Sequence, residues 1–281
     1  MSQTLVTAPP ALFELCNATY CYPNGVEALA GINLTIGAGE SVAIMGANGC
    51  GKSTLLKILD GLEVIKSGTA MAFGQRLNED RFRNTAAAQE FRRRVGFVFQ
   101  NSDAQLFCST VREDIAFGPL RMDLTLEQVE QRVADTAAML GITHLLDRTP
   151  YELSGGEKRR AALASTLSIN PQVILLDEPT TGLDPRTRSE LASILRTLHS
   201  AGKTLVIATH DLEFAPRVAD RVVILGEDHR VAASLPILDA LEDTDLLTRV
   251  NLIHSHVHRH GSLYHDHPHS HDVQHEHDHV P

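Results

Sequence analysis

The stretch "SVAIMGANGCGKST", Ser41 to Thr54, runs from apolar residues into a glycine-rich segment that ends in Lys-Ser-Thr. Its order predicts a strand, a tight loop and a helix beginning near Gly51. "GANGCGKST" matches G-x-x-x-x-G-K-[ST], and a strand before it with a helix after it is the context in which that pattern binds phosphate. Glycines at 46, 49 and 51 let successive backbone N–H groups, with those of Asn48 and Cys50, wrap phosphate oxygens, while the helix N-terminus adds positive potential. Lys52 is placed to reach the outer phosphates, Ser53 to ligate Mg²⁺, and Thr54 to close the loop. A glycine-rich turn with no ligand is the alternative reading, and the complete pattern argues against it.

Outward from this loop, the chain sorts into segments. From Leu12 to about Ile36, short alternating apolar runs interrupted by "PNG" predict two or three antiparallel strands. Residues from about 110 to 168 carry apolar positions three and four apart, as in "LEQVEQRVADTAAML", and read as mostly helical. The final third alternates strand "VILLD", a helix from about Pro185, strand "TLVIAT", a helix after Asp211 and strand "RVVIL". Such alternation predicts an α/β fold with a parallel sheet covered on both faces. "VILLDEP" ends in adjacent carboxylates, Asp177 and Glu178. A buried strand ending in acid complements a phosphate loop: the first carboxylate holds the Mg²⁺ shell and the second polarises an attacking water.

"LSGGEKRR", Leu153 to Arg160, has the form of a capping box, with Ser154 as N-cap and Glu157 three residues on. That form does not account for Gly155 and Gly156, which cost a helix about 1 kcal/mol each relative to alanine unless backbone must approach something closely. With the phosphate loop, "LSGGE" resembles the signature of the ATP-binding-cassette family over about residues 12 to 230. The resemblance implies an ABC-type P-loop ATPase fold, mostly parallel with an antiparallel β subdomain and an inserted helical subdomain at about 101–168. It implies ATP and Mg²⁺ as cofactors, and a dimer in which Ser154, Gly155, Gly156 and Glu157 of one subunit close on the other's phosphate loop. Tyr22 is similar to the aromatic that stacks on adenine, with Tyr20 the lesser candidate. Gln100, after "VGFVF", resembles the glutamine that contacts Mg²⁺ and water; Asp184 of "TGLDP" resembles the inter-subunit aspartate, and His210 of "IATHD" the histidine at the γ-phosphate. Glu157 stands where many cassettes have Gln. "FQNSDAQLFCSTVREDIAFGP" and "DEPTTGLDPRTR" are similar to ATPases of energy-coupling-factor importers, which take up vitamins, nickel or cobalt. Cys50 departs from the small hydroxyl or alanine usual in the loop, and its place before a helix N-terminus predicts a lowered thiol pKa and a reactive, ATP-protected thiolate.

Composition narrows the function further. A formal charge of −10 over 281 residues excludes a broad nucleic-acid surface. The four cysteines form no CxxC pair and suit a reducing cytosol. No targeting or membrane-spanning segment is expected, so the resemblance implies a peripheral protein on the cytoplasmic face of the membrane, docked on integral membrane transporter subunits and paired with a second ATPase subunit, a homodimer. Of the fifteen histidines, eleven crowd between His254 and His279. Residues 1–250 are expected to form the ATPase domain and 251–281 a disordered tail. His265, His267, His269, His271, His275, His277 and His279 have the chemistry to bind Ni²⁺ or Co²⁺, although affinity order alone does not choose the metal. These features together predict the ATP-hydrolysing subunit of a nickel or cobalt importer. A vitamin importer of the same type or a zinc or manganese importer is the alternative. A metallochaperone GTPase with a histidine-rich segment fits less well, because no N-K-x-D guanine-reading motif occurs.

Overall fold

The computed structural model describes residues 11–260 and 263–270, with side chains through Ile253. Strands β1 (Ala11–Cys21) and β2 (Glu27–Gly37) pair antiparallel across the "YPNG" turn, where Gly25 takes a φ of 85°. Strand β3 (Ser41–Met45) leaves for a second sheet, while β4 (Ser67–Ala72) and β5 (Gln75–Arg76) return to the first, whose order is β2-β1-β4-β5. Helix α1 (Lys52–Leu59) follows the glycine-rich loop, with Gly51 at φ 110° as its N-cap. Two short helices, α2 (Glu79–Arg83) and α3 (Thr85–Arg94), lead into β6 (Val95–Val98).

The helical stretch comprises α4 (Val111–Phe117), α5 (Leu126–Met139) and α6 (Gly155–Leu167). Each of the three begins with a capping box, Thr110/Glu113, Thr125/Gln128 and Ser154/Glu157. Such a cap is worth about 1 kcal/mol, which fixes where each helix starts. Strand β7 (Val173–Asp177), helix α7 (Pro185–Ser200), strand β8 (Thr204–Ala208), the single turn α8 (Ala215–Val218) and strand β9 (Arg221–Leu225) complete the alternating third, with β10 (Val231–Pro236) on the edge.

The second sheet has the order β10-β9-β3-β8-β7-β6; all neighbours are parallel except β10, which pairs antiparallel with β9. Every residue of β3, β7 and β8 is buried. Because side chains alternate across a strand, Val173 and Leu175 of β7 enter one core with α1 and the β1–β2 hairpin, while Ile174 and Leu176 enter another with α4, α5 and α6. Strand β8 repeats the pattern, with Val206 on the first side and Leu205 and Ile207 on the second. Each fully buried aliphatic side chain contributes about 1.5–3 kcal/mol, so the sheet is held in place by the layers on its two faces.

Helices α9 (Ile237–Glu242) and α10 (Thr244–Arg249) bury Ile237, Leu246 and Leu247 with Leu252 and Ile253 against the outer side of β3 and β9. Beyond them, residues 253–260 and 263–270 form an antiparallel pair, β11 (Ile253–His260) and β12 (Leu263–Ser270). In β11, His254, His256, His258 and His260 fall at the period of two of a strand, as do His265, His267 and His269 in β12. The calls on His271, His275, His277 and His279 lie outside the described residues.

One buried cation ties the helical region to the sheet. The Arg159 guanidinium of α6, 6% exposed, donates to the carbonyls of Phe99 and Gln100 just past β6, both at 2.7 Å. Arg159→Met keeps the apolar volume and leaves these carbonyls without donors, at about 1–3 kcal/mol per unpaired group. Urea denaturation followed by circular dichroism is expected to show a loss of that size, and an unchanged midpoint would show that Gln100 is held by other means.

Candidate functional site

Ligands of open α/β sheets gather at the carboxyl ends of the parallel strands. Here the glycine-rich loop follows β3, His210 follows β8, Asp177 and Glu178 end β7, and Gln100 follows β6. Since these strands are consecutive in the sheet, segments scattered over 165 positions from Gly46 to Asp211 meet along one edge. Two backbone bonds extend the ladder into the site, Glu178 N–H to the Ala208 carbonyl at 2.9 Å and Thr209 N–H to the Ile44 carbonyl at 3.0 Å.

The loop requires its glycines. A Cβ on Gly46 would stand 2.4 Å from the Leu225 carbonyl oxygen, and one on Gly51 2.3 Å from that of Ala28. Lys52, 6% exposed, donates to the Gly46 carbonyl at 2.8 Å and the Ala47 carbonyl at 3.1 Å, and lies 3.8 Å from Glu178 Oε1. The Ser53 hydroxyl donates to Asp177 Oδ1 at 2.9 Å. Burial raises the Asp177 pKa, and the charge of Glu178 adds to that, against the opposing Ser53 hydrogen bond. Glu178 is buried, takes a φ of 43°, and places Oε2 at 2.9 Å from His210 Nδ1. Left-handed backbone at a β7 terminus costs on the order of 1–3 kcal/mol, and here it turns the carboxylate into the cavity.

Lys52, Ser53, Glu178 and His210 line one open cavity of about 470 Å³ with Tyr22, Gln100, Asn48, Gly49 and Gly51. Tyr22 and not Tyr20 faces this space: the Tyr22 hydroxyl bonds Thr54 Oγ1 at 2.7 Å, whereas Tyr20 is buried and its hydroxyl donates to Glu63. Tyr20 packs edge-on against Tyr22 at 5.1 Å and supports its ring. The Ser53 hydroxyl and the Asp177 carboxylate form a hard-oxygen donor pair of the kind Mg²⁺ takes, with Gln100 on the same cavity wall. When bound, Mg²⁺ neutralises charge on the phosphates. Glu178, dehydrated and aimed inward, is placed to accept a proton from a water.

The α6 and α7 N-terminal residues singled out in the sequence do not line this cavity. Ser154, Gly155, Gly156 and Glu157 begin α6, where Glu157 Oε2 accepts from the Ser154 N–H and hydroxyl, both at 2.8 Å. Those bonds lower the Glu157 pKa. Asp184 is the N-cap of α7 and accepts from the Thr187 hydroxyl at 2.7 Å and the Thr187 N–H at 3.0 Å, which lowers its pKa. Both segments are exposed, a position suited to contact with a second subunit. Cys50 corrects the expectation of a reactive thiolate: it is 2% exposed and its pKa is raised, because burial outweighs the Lys52 charge. The loop turns its backbone to the cavity and its Cys50 side chain to the core. Thr181, Glu27 and His229 also line the cavity. No motif marked them, since each owes its place to a turn or strand end brought in by the fold.

A phosphate loop beside carboxylate, histidine and glutamine strand ends, with a lateral β-sheet and an inserted helical region, defines a P-loop nucleoside triphosphatase of cassette type. The chain belongs to the ABC transporter family, whose model matches residues 29–181. The nickel import ATP-binding protein NikO of Rhodobacter capsulatus is 48% identical over 86% of this chain and 95% of its own. The structure of cbiO1 from Clostridium perfringens, part of the ABC transporter complex cbiONQ, superposes with a TM-score of 0.74 at 34% identity, covering 86% of this chain and 95% of that one. The dimeric, ADP- and phosphate-bound cassette MJ0796 gives a TM-score of 0.73 at 30% identity over 80% of this chain and 98% of that one. The chain is thus an ATP-hydrolysing subunit coupled to transport.

Glu178→Gln keeps the side-chain shape and loses the basic oxygen. ATP binding is expected to persist while turnover falls by at least about 10²-fold, the scale of a general base. An ATP-dependent dimer is expected to accumulate in gel filtration with Mg²⁺; only monomer there would contradict a site shared between two subunits.

Proposed function

We propose that this chain energises a membrane importer for Ni²⁺ or Co²⁺, working as a homodimer on the cytoplasmic face of the membrane. ATP lies between Tyr22 and the phosphate loop of one subunit and the Ser154–Glu157 and Asp184 segments of the other. Ser53, Asp177 and Gln100 hold Mg²⁺, Glu178 activates water, and His210 contacts the γ-phosphate. Among the described residues no helix is long and apolar enough to cross a membrane, so integral membrane subunits must supply the path. The helical region offers them a surface: Phe107, 65% exposed, stacks edge-on against Phe117 at 4.9 Å, with Leu120 also exposed beside Arg121. No nucleic-acid partner is invoked.

The observation that carries the choice of a metal substrate is the histidine register of the tail, with the similarity to a nickel import protein in support. Strands β11 and β12 set His254 opposite His269, His256 opposite His267 and His258 opposite His265. Imidazole is the commonest protein ligand for such metals, so a register that repeatedly sets histidine opposite histidine supports a metal-binding tail. The vitamin-importer reading lacks an equivalent feature, and among metals the similarity to a nickel import protein favours nickel over zinc or manganese.

Cells lacking this gene are expected to lose energy-dependent ⁶³Ni²⁺ or ⁵⁷Co²⁺ uptake, regained with wild type and not with Glu178→Gln. Normal uptake of both ions, with loss of a vitamin, would assign the chain to the vitamin branch.

Deleting residues 254–281 is expected to leave basal ATPase activity nearly unchanged and to remove Ni²⁺ binding measured by calorimetry. Ligating imidazoles must be neutral, so binding to the full chain is expected to be strong at about pH 7.5 and weak at about pH 5.5, on either side of the ordinary histidine pKa of about 6.5. Equal stoichiometry for the two proteins at the higher pH would exclude the tail as the metal site.

A further inference from the structure

His229 lies in the turn joining β9 to β10, far in sequence from every motif of the site, yet its imidazole lines the nucleotide cavity. Its placement is fixed by backbone bonds on both sides. The His229 N–H donates to the Gly226 carbonyl at 3.0 Å, and the His229 carbonyl accepts from Ala30 N–H of β2 at 2.9 Å. Its φ is 60°, in the left-handed region that histidine tolerates better than most residues. The turn is thus pinned to β2, and the ring is set against the phosphate loop with Nδ1 3.3 Å from the Cys50 carbonyl oxygen.

A carbonyl only accepts, so the bond to Cys50 requires the proton on Nδ1. In the neutral ring Nε2 is then an acceptor without a hydrogen, and an acceptor in a nucleotide site needs a hydroxyl or amino donor from the ligand. Phosphate oxygens offer none. The position of His229 narrows the choice further: it contacts the loop at Cys50, ahead of Lys52, and β2 at Ala30, just past the Val26–Ala28 wall that shares the cavity with Tyr22. With the base on Tyr22 and the phosphates on Gly49–Thr54, the ribose occupies the interval that this wall and His229 flank.

We propose that His229 is a nucleotide-binding residue whose Nε2 accepts a hydrogen bond from a ribose hydroxyl, giving the site a preference for ribonucleotides over their deoxy counterparts. The inference concerns sugar selection only; ATP binding as such is a property of the family and does not depend on it.

The test is a thermodynamic cycle on the full chain with ADP, 2′-deoxyADP and 3′-deoxyADP, none of which is hydrolysed. Calorimetry on wild type is expected to show ADP binding about 3- to 10-fold more tightly than one of the deoxy compounds, the range for one net hydrogen bond, and the weaker compound identifies the hydroxyl. In His229→Ala and His229→Phe, the second of which keeps a flat ring without the acceptor, that ratio is expected to fall to about one. A general loss of loop order would weaken all three nucleotides alike and leave the ratio intact. Equal affinities in wild type, or a ratio unchanged by both substitutions, would overturn the proposal.

Discussion

Lys52, Asp177 and Glu178 are each about 5–6% exposed, and a charge taken out of water costs several kcal/mol unless something replaces its solvent. The site exists because these groups replace it for one another. Lys52 finds two loop carbonyls and Glu178; Asp177 finds Ser53; Glu178 stands against His210. Removing Lys52 would leave the buried Glu178 carboxylate without its cation, and removing Asp177 would leave the Ser53 hydroxyl without its acceptor, so the loop, the β7 terminus and the β8 terminus constrain each other's positions. The glycines follow from the same constraint, because Lys52 can fold back onto the loop carbonyls only where Gly46 and Gly51 let the backbone pass Leu225 and Ala28. A nucleotide entering this site exchanges loop carbonyls for phosphate oxygens around the ammonium, a substitution of one set of acceptors for a more highly charged one.

The second half of the chemistry sits on a different surface. Ser154, Glu157 and Asp184 each have a complete local role as helix caps, and their acid groups are held in the charged form by the N–H and hydroxyl donors they accept from. Their exposed helix N-termini carry positive potential, which suits an anion presented by another molecule.

Much of this was legible in the sequence because the motifs are strand ends, and strand ends were readable from "SVAIM", "VILLD" and "TLVIA". What periodicity could not give was the order β3-β8-β7-β6, which places His210 between the loop and the carboxylates; that order depends on which faces bury against which helices. Two tyrosines two residues apart looked nearly alike, and the bulged pairing of β1 with β2 is what sends Tyr20 inward and leaves Tyr22 at the cavity. At Cys50 the sequence shows a place before a helix N-terminus, which lowers a thiol pKa, but not that a loop offering its N–H groups to a ligand turns this side chain into the core, where burial raises it. His229 carried no signal, since its value arises from a tertiary bond between its carbonyl and Ala30.

The strand order also governs when the protein can become a protein. Among the described residues strand β3 pairs with β8 and β9 alone, so within that structure the strand that launches the phosphate loop has no sheet neighbour until residues 204–225 exist. Met45 and Thr204 are 159 positions apart. As the chain leaves the ribosome, the antiparallel hairpin and the helical region can form from local contacts, while an apolar strand waits unpaired through synthesis of more than half the polypeptide. Closing so long a loop is slow relative to local structure, and an unpaired apolar edge is a hazard for association with other chains. Nucleotide affinity is therefore acquired late and all at once, when β8 inserts between β3 and β7 and the sheet closes.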